Sequence, residues 1–218
     1  MDNESVYVFA FTNGAAPTLR HARRRIEFIE VAGVHAAIER VTQRPAVTEN
    51  ELRAQHDIVM KIAGSVNAIL PVRFGAIVDV PALETLVSMR RDSIRGALER
   101  VSGRVQMTVR VFEAGAAAVA RIEPAAKPAS GADYLEQRRS RSSALPAGDA
   151  AAVSRAIRDL VADERSERGQ RHLQWTLYHL VDRSALRQYE QAIAAFVSPT
   201  LAVSGPWPPF AFVPDLWP

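Results

Sequence analysis

The chain of 218 residues is long enough for one large domain or two small ones. Its 48% hydrophobic and 23% charged residues are ordinary for a globular protein, and a net charge of +3 is too small to indicate a nucleic-acid-binding face. The absence of cysteine excludes a disulfide framework, thiol catalysis and cysteine-ligated metals. With no apolar run near the ~20 residues of a membrane-spanning helix and no signal-peptide pattern, we expect a compact cytoplasmic protein.

The first part of the chain predicts three strands. Residues 5–12 alternate and are rich in aromatic side chains, which is typical of a strand. Residues 26–31 and 34–41 are two further apolar stretches, and they flank Ala32–Gly33. This spacing predicts a hairpin with a two-residue turn.

A capping box predicts the first helix. Thr48 is placed to cap the helix, and Glu51 follows three residues later. Apolar residues continue at helical spacing as far as Ile69, and Pro71 ends the predicted helix. Residues 70–80 then predict one continuous strand, in which Arg73 pairs with a carboxylate or with carbonyl groups.

Asp79 and Pro81 predict the start of a second helix, and Gly103 is well placed to close it. Residues 104–113 alternate cleanly and predict a strand. The element order favours an α+β domain of the ferredoxin-like class, with both helices packed on one face of the sheet.

Composition divides the chain into two domains. Residues 114–131 are rich in small side chains and proline, which predicts a linker between an N-terminal domain over 1–113 and a C-terminal domain over 132–218. In the second domain, residues 132–170 predict helix and residues 172–181 predict a strand.

The end of the second domain predicts a helix and then an extended tail. Asp182 is placed to cap the helix that follows the strand. The last part of the chain is dense in proline, which disfavours helix and central strands, so we expect this tail to lie extended across a surface.

No motif predicts catalysis, a cofactor or a metal site. His172 and His179 would lie on opposite faces of their strand, and His56 fits a structural role on the first helix. Asp163 and Glu164 fall at predicted helix positions that we expect to be solvated. Phosphate-binding glycine loops and the GxSxG elbow are absent from the sequence.

Two alternatives stay open at this point. Arg73-Phe74-Gly75 is superficially similar to an RNA-recognition strand, but the aromatic residues that would stack bases are missing. An RNA-binding ferredoxin-like module is therefore disfavoured. A small-molecule enzyme or regulator with a site at the domain interface is the other alternative.

Several motifs together resemble the gas vesicle GvpL/GvpF family. The run LPVRFG at 70–75 resembles the family's signature, GADYLEQRR at 131–139 resembles a helix opening, and GPWPP at 205–209 resembles the terminal motif. These matches occur in the family's order over nearly the whole chain. The motif residues, for which we predict architectural roles, are Pro71, Arg73, Phe74, Gly75, Tyr134, Leu135, Gly205, Pro206, Trp207, Pro208 and Pro209.

The resemblance implies a non-enzymatic gas vesicle assembly protein with two α+β domains. The first would be a ferredoxin-like variant, and the second a modified version with additional helices. The implied partners are the major shell protein (GvpA-type) and other accessory gas vesicle proteins, without nucleic acid, lipid membrane or cofactor. The implied location is the cytoplasm, in association with the vesicle.

Two further expectations concern contacts. We expect Arg23, Arg24 and Arg25 to supply charge that speeds the encounter with a partner. We expect Trp207 to act as a rigid apolar anchor on the protein's own second domain, with the neighbouring prolines lowering its ordering cost.

Overall fold

The computed structural model describes residues 5–113, 148–170, 172–196 and 200–216. The predicted linker over 114–131, and the motif residues Tyr134 and Leu135, lie outside these ranges. The described residues form two compact units. The first runs to Arg104 and includes the tail from Trp207, and the second runs from Val105 to Pro206. The sequence interpretation instead placed residues 105–113 in the first domain and the tail in the second.

The first unit contains an antiparallel sheet in the order β2-β3-β4-β1-β5, with β6 also paired to β1. Ala32 and Gly33 connect β3 to β4 with φ of 47° and 77°, which is a type I′ turn and confirms the predicted hairpin. The strands are β1 (Ser5–Thr12), β2 (Leu19–His21), β3 (Arg24–Val31), β4 (Val34–Val41), β5 (Ile69–Pro71) and β6 (Ile77–Asp79).

Both predicted helix starts of the first unit are confirmed. Helix α1 spans Glu49–Ser65, and the Glu51 N–H donates to Thr48 Oγ1 at 3.3 Å. Its predicted end at Pro71 was wrong, because Val66 is extended and Ile69–Pro71 form a strand. Helix α2 spans Val80–Val101, and the Ala82 N–H donates to Asp79 Oδ1 at 2.7 Å.

The sheet of the first unit is buried on both faces. On one face, Tyr7 and Phe9 pack with Ile58 and Ile62 of α1. On the opposite face Val8, Ile38 and Leu70 are equally buried, and α2 is the other helix that contacts these strands. We therefore assign the two helices to opposite faces, whereas the sequence interpretation placed both on one face. A bulge at residue 9 of β1 adjusts the register with β4.

The predicted continuous strand over 70–80 was wrong, because the structure divides it into β5 and β6. The Val72 N–H donates to the Phe9 carbonyl at 2.8 Å, and the Val8 N–H donates to the Ala76 carbonyl at 2.9 Å. Residues 73–75 between these bonds loop out. Gly75 has a φ of 84°, which disfavours any other residue there.

The second unit contains a sheet in the order β10-β7-β9-β8. Its apolar core joins strand residues such as Val109 and Leu177 to helix residues such as Val153 and Tyr189. The elements are β7 (Arg104–Phe112), α3 (Asp149–Ala156), β8 (Asp163–Arg168), β9 (Leu173–Asp182), α4 (Leu186–Ala194) and β10 (Leu201–Trp207). The predictions of β7, of β9 and of an α+β fold with two sheets are confirmed.

Two local predictions in this unit were wrong. Residues 163–168 were expected to be helical but form β8, which pairs with β9 along its whole length. Cross-strand pairing overrides the weak local preference of this charged segment. Asp182 makes no side-chain capping hydrogen bond, because a 3₁₀ turn over Arg183–Ala185 precedes α4.

Candidate partner interface

Strand β3 has an outer edge that is only partly paired. Strand β2 covers its beginning, from Arg24 opposite His21 to Ile26 opposite Leu19. Within the described parts of the chain, no strand pairs with the outer side of residues 27–31. We call this segment the open edge.

The hairpin geometry determines which backbone groups the open edge presents. Val31 and Val34 flank the two-residue turn and form a hydrogen-bonded pair, so pairs alternate from there along β3 and β4. Residues 27, 29 and 31 therefore bond to β4. The N–H and C=O groups of Phe28 and Glu30 point outward, where an added strand could use them.

The side chains of the open edge are mixed in polarity. Phe28 is half-buried against the apolar cluster beneath α1, and Ile29 is also half-buried. Val31 is buried, whereas Glu30 is exposed. An extended partner segment would thus find both backbone hydrogen bonds and apolar contacts at this edge.

The three arginines expected to meet a partner differ in their surroundings. Arg24 bridges Glu39, at 3.3 Å, and Glu51 of α1, so it fastens the β2–β3 hairpin to the first unit. The Arg25 Nε lies 3.2 Å from Glu27, and its side chain is largely exposed. Arg23 is exposed at the turn between β2 and β3. Only Arg23 and Arg25 are therefore placed to meet another molecule.

The carboxylate Glu39 responds to this partly buried cluster. Burial raises its pKa, and the Arg24 guanidinium opposes this shift, while the charge of Glu51 adds to it. Losing Arg24 would leave Glu39 and Glu51 in mutual repulsion.

The LPVRFG motif residues hold the loop between β5 and β6. The Gly75 N–H donates to the Tyr7 phenol oxygen at 2.9 Å, and the Tyr7 hydroxyl donates to Gln55 Oε1. The Gln55 Nε2 donates to the Val72 carbonyl at 3.0 Å. The Phe74 ring lies edge-on to Tyr7 at 6.2 Å. Burial raises the pKa of Tyr7, against the hydrogen bond from Gly75.

Pro71 is buried in β5, whereas Arg73 is exposed at the loop. The expectation that Arg73 lies within a buried strand was therefore wrong. Since Phe74 is half-buried beside Tyr7, the loop does not present a stacking platform of the RNA-recognition type.

The terminal motif joins the first unit. Trp207 is half-buried, and its ring lies 5.8 Å from the ring of His56 on α1. Pro208 and Pro209 are buried, and Phe212 is 1% exposed. The tail therefore packs on the first unit, where the sequence interpretation expected Trp207 to anchor on the second.

The preceding part of the motif belongs to β10. A Cβ atom on Gly205, whose φ is 133°, would meet Met107 Sδ at 2.7 Å and the Gln106 carbonyl oxygen at 2.9 Å. Pro206 follows at the exposed end of the strand. Only glycine allows β10 to approach β7 this closely.

A buried polar cluster of the second unit was missed by sequence reasoning. His179 is fully buried, and its Nδ1 lies 2.6 Å from the Tyr189 hydroxyl. Its Nε2 lies 3.2 Å from Glu164 Oε2 but is not aligned for a hydrogen bond, and Ser154 donates to Glu164 Oε1 at 3.0 Å. The expectation of a solvated Glu164 on a helix was wrong, whereas His172 is exposed.

These contacts change the acidity of two groups. Burial alone would raise the pKa of Glu164, but the contacts with His179 and Ser154 outweigh it and lower that pKa. Burial, followed by the charge of Glu164, raises the pKa of Tyr189. His179 and Tyr189 are both fully buried, whereas Glu164 and Ser154 are partly exposed, and together the four residues tie β8, β9, α3 and α4 to one another.

A ligand site in the described residues would be marked by a cavity or by grouped metal-binding side chains. A surface cavity of about 430 Å³ in the first unit is lined by Thr12, Asn13, Gly33, Val34, His35, Arg95, Leu98, Glu99 and Ser102. In the same ranges, no three His, Cys, Asp or Glu side chains are grouped to hold a metal ion. None of the described helices is long and apolar enough to cross a membrane.

The geometry defines an α+β protein of two units with an unpaired, partly apolar strand edge. Residues 5–214 match the family described as gas vesicle synthesis protein GvpL/GvpF. The chain therefore belongs to this family.

Individual proteins are similar to this chain in sequence or in fold. The chain is 31% identical over 180 residues to gas vesicle protein L of Streptomyces sp. (strain CB03234), covering 72% of this chain and 66% of the relative. The crystal structure of GvpF from Anabaena sp. PCC7120 matches with a TM-score of 0.70 at 14% identity, covering 97% of this chain and 96% of that one. GvpF from Microcystis aeruginosa matches with a TM-score of 0.71 at 11% identity, covering 95% and 98%.

Proposed function

We propose that this protein is a gas vesicle assembly protein, an accessory or minor structural component that binds the apolar major shell protein and assists nucleation or growth of the vesicle. The role is non-enzymatic and operates in the cytoplasm. Membership of the GvpL/GvpF family supports a gas vesicle role, and the open edge supports binding.

The open edge is the observation that carries the binding proposal. An apolar subunit that has not yet joined a wall exposes strands that aggregate readily. A strand added at Phe28 and Glu30 would have its backbone groups satisfied and its apolar side chains partly covered. The protein would then hold the subunit until it joins the growing vesicle.

The exposed arginines fit a secondary role. Arg23 and Arg25 lie beside the open edge in sequence and would contribute to the rate of encounter with an acidic partner surface. Arg24 has a structural role and is not part of this contact surface.

Co-expression with the major shell protein tests the proposal. Glu30→Pro removes an outward N–H and places a ring at the edge, but leaves the bonds between β3 and β4 intact. We expect wild type to retain soluble shell protein and Glu30→Pro to lose it. Glu30→Gln keeps the backbone N–H and should retain clearly more shell protein than Glu30→Pro. Equal retention by Glu30→Pro, with its fold confirmed by circular dichroism, would exclude the open edge as the binding site.

A second control separates binding from folding. The Glu27 N–H points toward β4, so Glu27→Pro breaks the ladder within the sheet. We expect this variant to lose stability as well as binding, whereas Glu30→Pro loses binding alone. No retention by the wild-type protein would contradict the proposed function itself.

A further inference from the structure

We propose that the segment occupying the open edge carries an apolar side chain opposite Phe28 and a basic side chain opposite Glu30. This inference rests on the proposed function and names the chemistry of the partner. The length of the edge and the charges on its two faces support it.

The length of the open edge limits the partner segment. At one end Leu19 already occupies the position opposite Ile26, and at the other end the chain turns at Ala32 and Gly33. The unpaired backbone covers residues 27–31, a span of roughly 17 Å at the rise of an antiparallel strand. A short extended segment therefore fits, and a long strand does not.

Phe28 and Glu30 face the same side of the sheet because strand side chains alternate. Phe28 packs against the cluster beneath α1, which includes Ala37 opposite it on β4. An apolar side chain on the incoming segment would extend this cluster by one cross-strand neighbour. The side chain two residues further along the incoming segment lies on the same face and would be opposite Glu30.

The two glutamates of the edge differ in their charge balance. Glu27, on the other face, lies 3.2 Å from the Arg25 Nε and 3.3 Å from the Arg40 Nε. Glu30 is exposed and makes no hydrogen bond or ion pair with the residues that the structure describes. Glu30, which has no basic partner among the described residues, thus lies on the same face of the sheet as Phe28, which offers an apolar contact.

A charge on a strand edge can select a partner of opposite charge, but it can also serve to repel unwanted strands. The two roles respond differently to charge reversal. A repelling charge works equally well as lysine, so retention of the partner stays unchanged. A selecting charge fails when it is reversed, because a basic partner side chain then faces another cation.

The experiment uses the full chain co-expressed with the major shell protein, with a photo-crosslinking phenylalanine analogue at position 28. Sequencing of the cross-linked peptide identifies the segment opposite Phe28. Glu30→Lys is then compared with the control Glu84→Lys, which changes an exposed carboxylate of α2. Retained shell protein is quantified at low and at high salt.

We expect Glu30→Lys to lower retention by about threefold to tenfold at low salt, and Glu84→Lys to leave it unchanged. The cross-linked segment should carry a basic residue two positions from the cross-linked one, and reversing that residue should restore binding to Glu30→Lys. High salt should reduce the difference between the variants. Retention that is indifferent to Glu30→Lys, or a cross-linked segment without a basic side chain, overturns the inference alone, whereas no retention by wild type overturns the proposed function with it.

Discussion

The outer edge of β3 and the outer edge of β8 are built from opposite chemistry. Strand β8 is charged at every position except Ser166, and Glu164 and Glu167 are engaged by Ser154 and Tyr178. An incoming strand would meet charges of both signs there, which is a common way to block edge pairing. The open edge of β3 has Phe28 and Ile29 at its centre instead.

The difference favours the open edge as the proposed binding site. A chain that blocks one edge with charge but leaves another partly apolar keeps a site where an extended segment can pair. The β5 side of the first sheet supports this comparison, because the tail over Phe210–Phe212 contacts it.

The largest effect is expected where the tail covers the sheet. Phe212 is 1% exposed, so Phe212→Ala should lower the free energy of unfolding by about 3–5 kcal/mol. Phe210 is 43% exposed and provides the matched control, for which we expect a loss below about 1 kcal/mol. Denaturant unfolding measures both, and equal losses would contradict the packing of the tail.

The arginines beside the open edge should separate into structural and exposed groups. Arg24→Ala should lower the free energy of unfolding by about 1.5–3 kcal/mol, because Arg24 bonds to two carboxylates in a partly buried cluster. Arg23→Ala should lie within about 0.5 kcal/mol of wild type. If chemical unfolding gives equal values for the two variants, Arg24 does not fasten the hairpin.

Because β10 approaches β7 closely, we expect replacement of glycine by alanine to have opposite effects on stability at two positions. Gly205→Ala should destabilise the protein by about 1–3 kcal/mol, since its Cβ would clash and its φ is strained. Gly96→Ala on α2 has open space and should stabilise by about 0.4–1 kcal/mol. Thermal melting compares the two, and a neutral Gly205→Ala would mean that β10 can move away from β7.

The charged edge of β8 predicts a pH dependence. Because the folded-state pKa of Glu164 is lowered, its stabilising contribution is present above the ordinary carboxylate range and is lost as the pH falls below about 4.3. Glu164→Gln should therefore be less stable than wild type at pH 7, and the difference should shrink in acid. Unfolding at several pH values measures this, and a difference that grows in acid would contradict the assignment.

Local signals made much of the fold predictable from the sequence. Thr48, Asp79 and the turn at Ala32–Gly33 act through neighbouring backbone groups, so their roles can be deduced without knowing the tertiary structure. Apolar and polar residues alternate in β7 and β9 because one face of each strand is buried, and this pattern could also be recognised in the sequence. The family resemblance came from motifs spread over the chain.

The rest depends on long-range contacts. Residues of β8 form a strand only because β9 lies beside them, and Glu164 meets His179 only through that pairing. The loop at Gly75 is held by Tyr7 and Gln55, which are distant in sequence. The open edge itself is defined by where β2 begins, at Leu19, which no local pattern of residues 27–31 indicates.

Amide hydrogen exchange along β3 tests the central claim most directly. In the free protein, the amides of Ile29 and Val31 should be protected by β4, while those of Phe28 and Glu30 exchange rapidly. In the complex with shell protein, Phe28 and Glu30 should become protected as well. Protection of these two amides in the free protein, or their rapid exchange in the complex, would contradict the account.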